Sequence, residues 1–155
     1  MTEPAAMDAR SLIAVLLAGL LAGSELTSWS IVHPTLWKLD HDAQVRAEKL
    51  MYRRFASIDP FVMTATIVAS FTAVGALDGR SATLAVAAGV CFATMLAITL
   101  IANMPINLRV LRWDEEHGDP EEWRRIRRRW DRIHTVRIVL DSAGFVLIAL
   151  AVLGA

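Results

Sequence analysis

Glu25, His33, His134, Arg137 and Asp141 are ionisable side chains set inside or at the edges of long apolar stretches. An ionised group at the centre of a bilayer costs about 2.5–3.5 kcal/mol even on the lenient insertion scale, so each requires a reason. A carboxylate or a neutral imidazole can abstract a proton. A guanidinium or an amide N–H can stabilise the oxyanion that results. Helical spacing groups these residues. Trp29 lies about 40° and His33 about 80° around from Glu25, with Ser28 beside them, and Glu25 sits about 12 Å along the axis from His33. His134 and Asp141 lie within about 20° of one face, with Arg137 flanking both. Asn103 and Asn107 are spaced i, i+4. Two layers are expected: a deeper one of Glu25, Arg137 and Asp141, and a shallower one of His33, Asn107 and His134.

Two interpretations of this constellation stay open. Arg137 can simply neutralise Glu25 or Asp141 and hold helices in register, with the histidines wetted at an interface. Alternatively the residues line a substrate or metal pocket, because two carboxylates, two histidines, an arginine and an asparagine exceed what one structural pair requires. Under the second interpretation His134, Arg137, Glu25 and His33 are the catalytic candidates. Asn107, Asn103, Trp29, Trp130 and Asp141 are the substrate-binding candidates. Candidate metal ligands are Glu25, His33, His134 and Asp141, a donor set that suits non-haem iron or copper, but no closely spaced ligand motif accompanies it. One ion cannot take both His134 and Asp141, which stand about 10 Å apart along the helix axis. The cofactor is therefore left as either none or a non-haem metal. Cys91 is the sole cysteine, so neither a disulfide framework nor a cysteine cluster is available.

The elements that must position these groups are membrane helices. The chain has 155 residues, 55% of them hydrophobic, more than one soluble core of that length needs. Four stretches, about 11–33, 60–77, 82–104 and 133–154, approach the roughly 20 residues that cross a bilayer. The expected fold is all-α: a single four-span antiparallel bundle over 1–155 with connections at 34–59 and 105–132. "MTEPAAMDAR" has no basic leader, so the first span reads as retained. Five basic residues from Lys38 to Arg54 and eight arginines from Arg109 to Arg132, Arg127 among them, fall in the two connections. The positive-inside rule places both connections in the cytoplasm and both termini outside, in the cell (inner) membrane.

Pro34 should end the first span at His33. Asp42 to Ala56 reads as a short cytoplasmic amphipathic helix carrying Val45, Met51, Tyr52 and Phe55. "SIDPF" reads as a new helix start with Asp59 as N-cap and Pro60 at the first position. "LDGRS" is a tight turn joining spans two and three. Asp119, Pro120 and Glu122 form an N-cap, first-position proline and capping-box acid, from which one long fourth helix runs out of the cytoplasm into the bilayer. Trp123, Ile126, Trp130 and Ile133 make an apolar stripe along it. The intervening arginines are expected at anionic lipid head groups. No nucleic-acid partner is expected, because no fold presents those arginines to a groove. Glycines and alanines in "LAGLLAG" and "AVAAGV" permit close helix approach, within the bundle or between protomers of a homo-oligomer.

"VHPTL" (Val32 to Leu36), "NMPINLRV" (Asn103 to Val110) and "RRRWDRIHTVR" (Arg127 to Arg137) resemble, in order and spacing, the DUF1772 or anthrone oxygenase-like family, from about Leu12 to Leu153. The usual proline-threonine-asparagine-asparagine stretch stands here as Pro105-Ile106-Asn107-Leu108, with only the first asparagine kept. The resemblance implies a small membrane oxygenase that oxidises an anthrone-like phenolic metabolite with dioxygen in a natural-product pathway, with His33, Asn107, Trp130, His134 and Arg137 lining the site. The competing expectation is a non-catalytic membrane protein, a small-molecule carrier or assembly partner, whose polar layer is structural.

Overall fold

The computed structural model describes residues 8–155. Residues 1–7, on which the retained first span partly rests, lie outside the described residues. Among the described residues six α-helices form four long rods: α1 (Ala9–Thr27) with α2 (His33–Leu36), α3 (His41–Ala73), α4 (Gly79–Ile98) with α5 (Met104–Leu111), and α6 (Pro120–Leu153). All four rods are long and apolar enough to cross a membrane. The chain is thus the expected all-α bundle. Around the bundle α1 neighbours α3 and α6, and α4 neighbours α3 and α6, with α4 and α6 sharing the longest interface.

The rods bury side chains at alternating intervals of three and four residues. On α6 the inward stripe is Trp123, Arg127, Trp130, His134, Arg137, Asp141, Gly144, Ile148 and Ala151. On α1 it is Ser11, Ala14, Ala18, Leu21 and Glu25. Such spacing keeps one seam facing its neighbours along a whole bundle. Two apolar cores result. One, built on Ala14, Ala18, Ala73, Ala85, Phe92 and Ile148, fills the half nearest the α3–α4 turn. The other, built on Val45, Tyr52, Val110, Trp113, Trp123 and Trp130, fills the opposite half. On the α4–α5 rod buried Asn103, and on α6 buried His134, Arg137 and Asp141, fall between those two cores.

Gly79 opens α4 with φ +51°, where a side chain would be strained, which fits the tight turn expected there. Gly144 brings α6 against α4: a Cβ at this position would stand 2.8 Å from the Phe92 ring. Phe92 is 0% exposed and has nowhere to go. Gly89 faces Phe71 at the same 2.8 Å, but Phe71 is 42% exposed and can swing outward. Gly144→Ala is therefore expected to cost about 1–3 kcal/mol as overpacking, and Gly89→Ala much less. Thermal unfolding of both variants in one detergent checks this, and equal losses would show that Phe92 is not locked.

The helix boundaries differ from the sequence expectation at Pro34 and at Pro60. Pro34 does not end the first rod. A π-helical turn, Ser28–Val32, precedes it, and the His33 N–H reaches the Ser28 carbonyl. The same device recurs before Pro105, where Thr99–Asn103 is π-helical and the Met104 N–H reaches the Thr99 carbonyl. Widening the turn relieves the clash of each proline ring with the carbonyl four residues earlier, so the chain stays helical. The helix start expected at Asp59 is likewise absent. The amphipathic segment 42–56 is helical as expected but continues unbroken through Pro60 to the end of α3. Burial of Val45, Glu48 and Tyr52 on one side of Pro60 and of Met63, Thr66 and Ser70 on the other outweighs the roughly 3 kcal/mol a mid-helix proline costs.

Asp119 does cap α6, accepting from the Glu121 N–H at 2.9 Å. Glu122, however, is paired with Arg109 rather than closing a capping box. In the connection before it, Lys49 Nζ bridges the Trp113 carbonyl and the Glu115 carboxylate, each at 2.7 Å. That contact holds the Glu115 carboxyl below its ordinary pKa.

Candidate functional site

The α6 seam and the first π turn together create the polar layer. Glu25 and Ser28 follow the α1 seam inward, and the extra residue of the π turn brings His33 inward five positions after Ser28. Trp29, expected on the Glu25 face, instead points outward: it is 41% exposed and its indole N–H donates to Thr135 Oγ1 at 3.0 Å.

Glu25 joins the first and last rods. Its Oε1 accepts from Arg137 Nη2 at 2.5 Å, and its Oε2 lies 3.4 Å from His134 Nδ1. Neither Oε2 nor Nδ1 makes a hydrogen bond at that separation, but a carboxylate facing Nδ1 favours the tautomer protonated there, which leaves the lone pair on Nε2. Nε2 is buried without a protein partner. His33 packs beside His134, with ring centroids 5.3 Å apart, and Trp130 lies against both at 4.4 and 4.5 Å. The expected two layers thus merge, because His134 reaches Glu25 directly.

A second cluster surrounds Arg127. This arginine was expected at lipid head groups, but it is 0% exposed, since it shares the inward seam seven residues before His134. Its Nε pairs with Glu48 Oε2 at 2.6 Å, and its Nη2 lies 3.5 Å from Asp131 Oδ1 and 3.1 Å from His33 Nδ1. Its Nη1 donates to the Tyr52 hydroxyl, and its guanidinium carbon sits 4.7 Å from the Trp130 ring centroid. Gln44 completes the shell by donating to Glu48 Oε1 at 3.1 Å.

A cavity of about 140 Å³ opens beside these groups. Glu25, His33, Tyr52, Asn107, Trp130, His134 and Arg137 supply its polar lining, and Met51, Phe55, Met63, Leu96 and Met104 much of the apolar remainder. Exposed Ala56 from α3, and Leu100 and Leu108 from the α4–α5 rod, stand at its edge. Asn107 Oδ1 accepts from the Trp130 indole at 2.7 Å. Six of the nine catalytic and substrate-binding candidates from the sequence therefore share one cavity. Asn103, Trp29 and Asp141 do not line it. Asn103 is buried within the second π turn with neither amide atom partnered, and Asp141 is buried one turn beyond Arg137 with Oδ1 unpartnered.

Sequence reasoning passed over Glu48, Tyr52 and Asp59 as site residues. Asp59 also lines the cavity, and its seven-residue spacing from Tyr52 is the signal that would have placed it there.

The donor set does not fit a resident metal ion. Among the described residues no three His, Cys, Asp or Glu side chains gather as a metal-binding set. Glu25 Oε1 is occupied by Arg137 and His33 Nδ1 by Arg127, and two guanidiniums would repel a cation placed between them.

A family model described as anthrone oxygenase matches residues 49–147. The matched stretch contains Tyr52, Asn107, Arg127, Trp130, His134 and Arg137, whereas Glu25 and His33 precede it. Comparison with curated proteins and with solved structures gives no match.

Proposed function

The chain belongs to the anthrone oxygenase family, and from that membership and the cavity beside His134 we propose that it is a membrane-embedded oxygenase of small phenolic aromatics. The cavity carries this reading, because a base, oxyanion donors and an apolar wall meet in it. The four rods form a single multi-pass domain. Its arginine-rich connections face the cytoplasm, both termini lie outside, and the exposed arginines of α6 meet anionic head groups.

The proposed substrate carries an acidic C–H, such as a methylene conjugated with a carbonyl and flanked by aromatic rings. His134 Nε2 removes that proton. Arg137, which has N–H groups left beyond its bond to Glu25, and the Asn107 amide stabilise the enolate oxygen. Dioxygen, which partitions into the apolar wall, meets the electron-rich carbon. The net change, CH2 plus O2 giving C=O plus H2O, balances without an external reductant. One oxygen atom enters the product and the other leaves as water. A void of about 150 Å³ holds a benzene ring, so a three-ring substrate requires the cavity to widen. Met51, Met63 and Met104 on its wall are the side chains best able to yield.

The test is oxygen uptake by the purified protein with hydroxylated anthracenones. The expected result is one O2 consumed per carbonyl formed, with no added reductant. The close Glu25–Arg137 pair favours a second reading, in which the polar layer only locks the bundle and the cavity binds a ligand without oxidising it. Ligand binding without oxygen uptake would establish that reading instead.

A further inference from the structure

His33 and His134 also line a second hollow, a groove of about 370 Å³ between the first rod and α6, which Trp29, Ser30, Trp37 and Asp131 help to enclose. Two indoles are pinned across it. The Trp29 indole N–H donates to Thr135 Oγ1 at 3.0 Å and that of Trp37 to Asp131 Oδ2 at 2.8 Å. Thr135 and Asp131 stand about 6 Å apart along α6. With both N–H groups used, each ring has its π face left to offer a ligand. The charge beside them is unbalanced. Arg127 is shared between Glu48 and Asp131, so one guanidinium answers two carboxylates. His33 Nδ1 accepts from Arg127 Nη2 and adds no charge. Glu48 is enclosed, whereas the Asp131 side chain is 30% exposed and faces the groove. Two aromatic faces beside a carboxylate in excess suit an ammonium cation.

The groove lies where the exposed residues change character. On the first rod exposed Leu26 and Ile31 give way to exposed Lys38 and Asp40. On α6, read in the opposite direction, exposed Val139 and Val136 give way to exposed Arg132 and Arg128. Such a change marks the level at which lipid head groups meet a membrane helix. Arg128 and Arg132 each precede a groove anchor, Asp131 and Thr135, by three residues, which places them about 60° further from the bundle interior.

We propose that this groove binds the head group of a zwitterionic phospholipid. The ammonium sits between Trp29 and Trp37 against Asp131, the phosphate meets Arg132, and the acyl chains run along Val136 and Val139. The site is separate from the cavity and does not depend on what the cavity does.

The probes are dodecylphosphocholine and dodecyl 3,3-dimethylbutyl phosphate, which share chain, phosphate and shape and differ in having nitrogen or carbon at the centre of the head group. Calorimetry measures the affinity of the whole protein for each in one maltoside detergent. The ratio between the two, compared across variants, cancels their partition into the micelle. Asp131→Asn keeps an acceptor for Trp37 and removes the charge, and Trp29→Leu removes one ring. Wild type is expected to prefer the phosphocholine by at least about fivefold, and each variant to lose about threefold to fivefold of that preference. Arg132→Ala should weaken both ligands alike and leave the ratio unchanged. Binding of the carbon analogue reports that a variant is folded, and Asp131→Asn serves alone if Trp29→Leu is not.

Equal affinities in wild type, a preference for the carbon analogue, or a phosphocholine preference that survives both substitutions overturns the proposal. Oxygen uptake at the cavity is a separate measurement, so either result can fail without the other.

Discussion

Arg127→Met is expected to destabilise the protein by roughly 3–5 kcal/mol, the range for removing one partner of a buried ion pair. Arg127 is wholly enclosed, and its guanidinium meets Glu48, Asp131, Tyr52 and His33 at once. Removing it leaves the Glu48 carboxylate, itself 1% exposed, with only Gln44 to answer it. The double variant Arg127→Met, Glu48→Met removes both charges and substitutes apolar volume between Val45, Trp123 and Trp130. It is expected to recover most of the loss, because well-packed apolar replacement of a buried pair is often neutral or better. Equilibrium unfolding in detergent across the single variants and the double gives the coupling energy. A single-variant loss below about 1 kcal/mol would mean that water reaches this arginine. Because Arg127 holds Tyr52 and His33, the double variant should also bind substrate less selectively even where its stability returns.

That arginine shows where sequence reasoning stops. The four rods were legible because apolar content over about 20 residues is a property of composition, independent of how helices rotate. The α6 seam was legible in part. His134, Arg137 and Asp141 share a face by spacing alone, and extending the same seam backward by seven residues reaches Arg127. Its setting among "RRIRRR" concealed it, since neighbours with the same charge direct attention to the outer face. The rotation of α1 was not legible. A straight helix turns Trp29 toward Glu25, and only a π turn brings His33 in while Trp29 goes out. The cause, Pro34, was visible, but proline restricts the chain without saying whether a helix will end or widen. Pro60 teaches the same lesson on α3, where buried residues on both sides carried the helix through. The pairing of Glu25 with Arg137 and His134 joins residues more than 100 positions apart in the chain. No spacing rule reaches across separate helices.

Whether the polar layer is catalytic or only structural is decided by Glu25 and His134 taken together. His134→Ala is expected to lower kcat by about 10²–10⁴, the range for a positioned general base, with the bundle intact, since the lost ring is replaced by space adjoining an existing cavity. Glu25→Gln keeps an acceptor for Arg137 but removes the charge, 3.4 Å away, that favours a proton on His134 Nδ1. The imidazole can then present either nitrogen to the cavity, and kcat should fall by a comparable factor while substrate KM changes little. Glu25 acts through His134 on this reading, so the two losses must not add: the double variant should be no slower than His134→Ala alone. Arg137→Ala tests the other half of the pair. It should lower both turnover and stability, because it strips Glu25 of its 2.5 Å partner as well as the oxyanion of a donor. A purely structural layer gives the opposite pattern, in which Arg137→Ala unfolds the protein while His134→Ala and Glu25→Gln retain full turnover. Losses that multiply in the Glu25–His134 double variant would instead assign Glu25 a contact of its own with the substrate, as a second base at the same cavity.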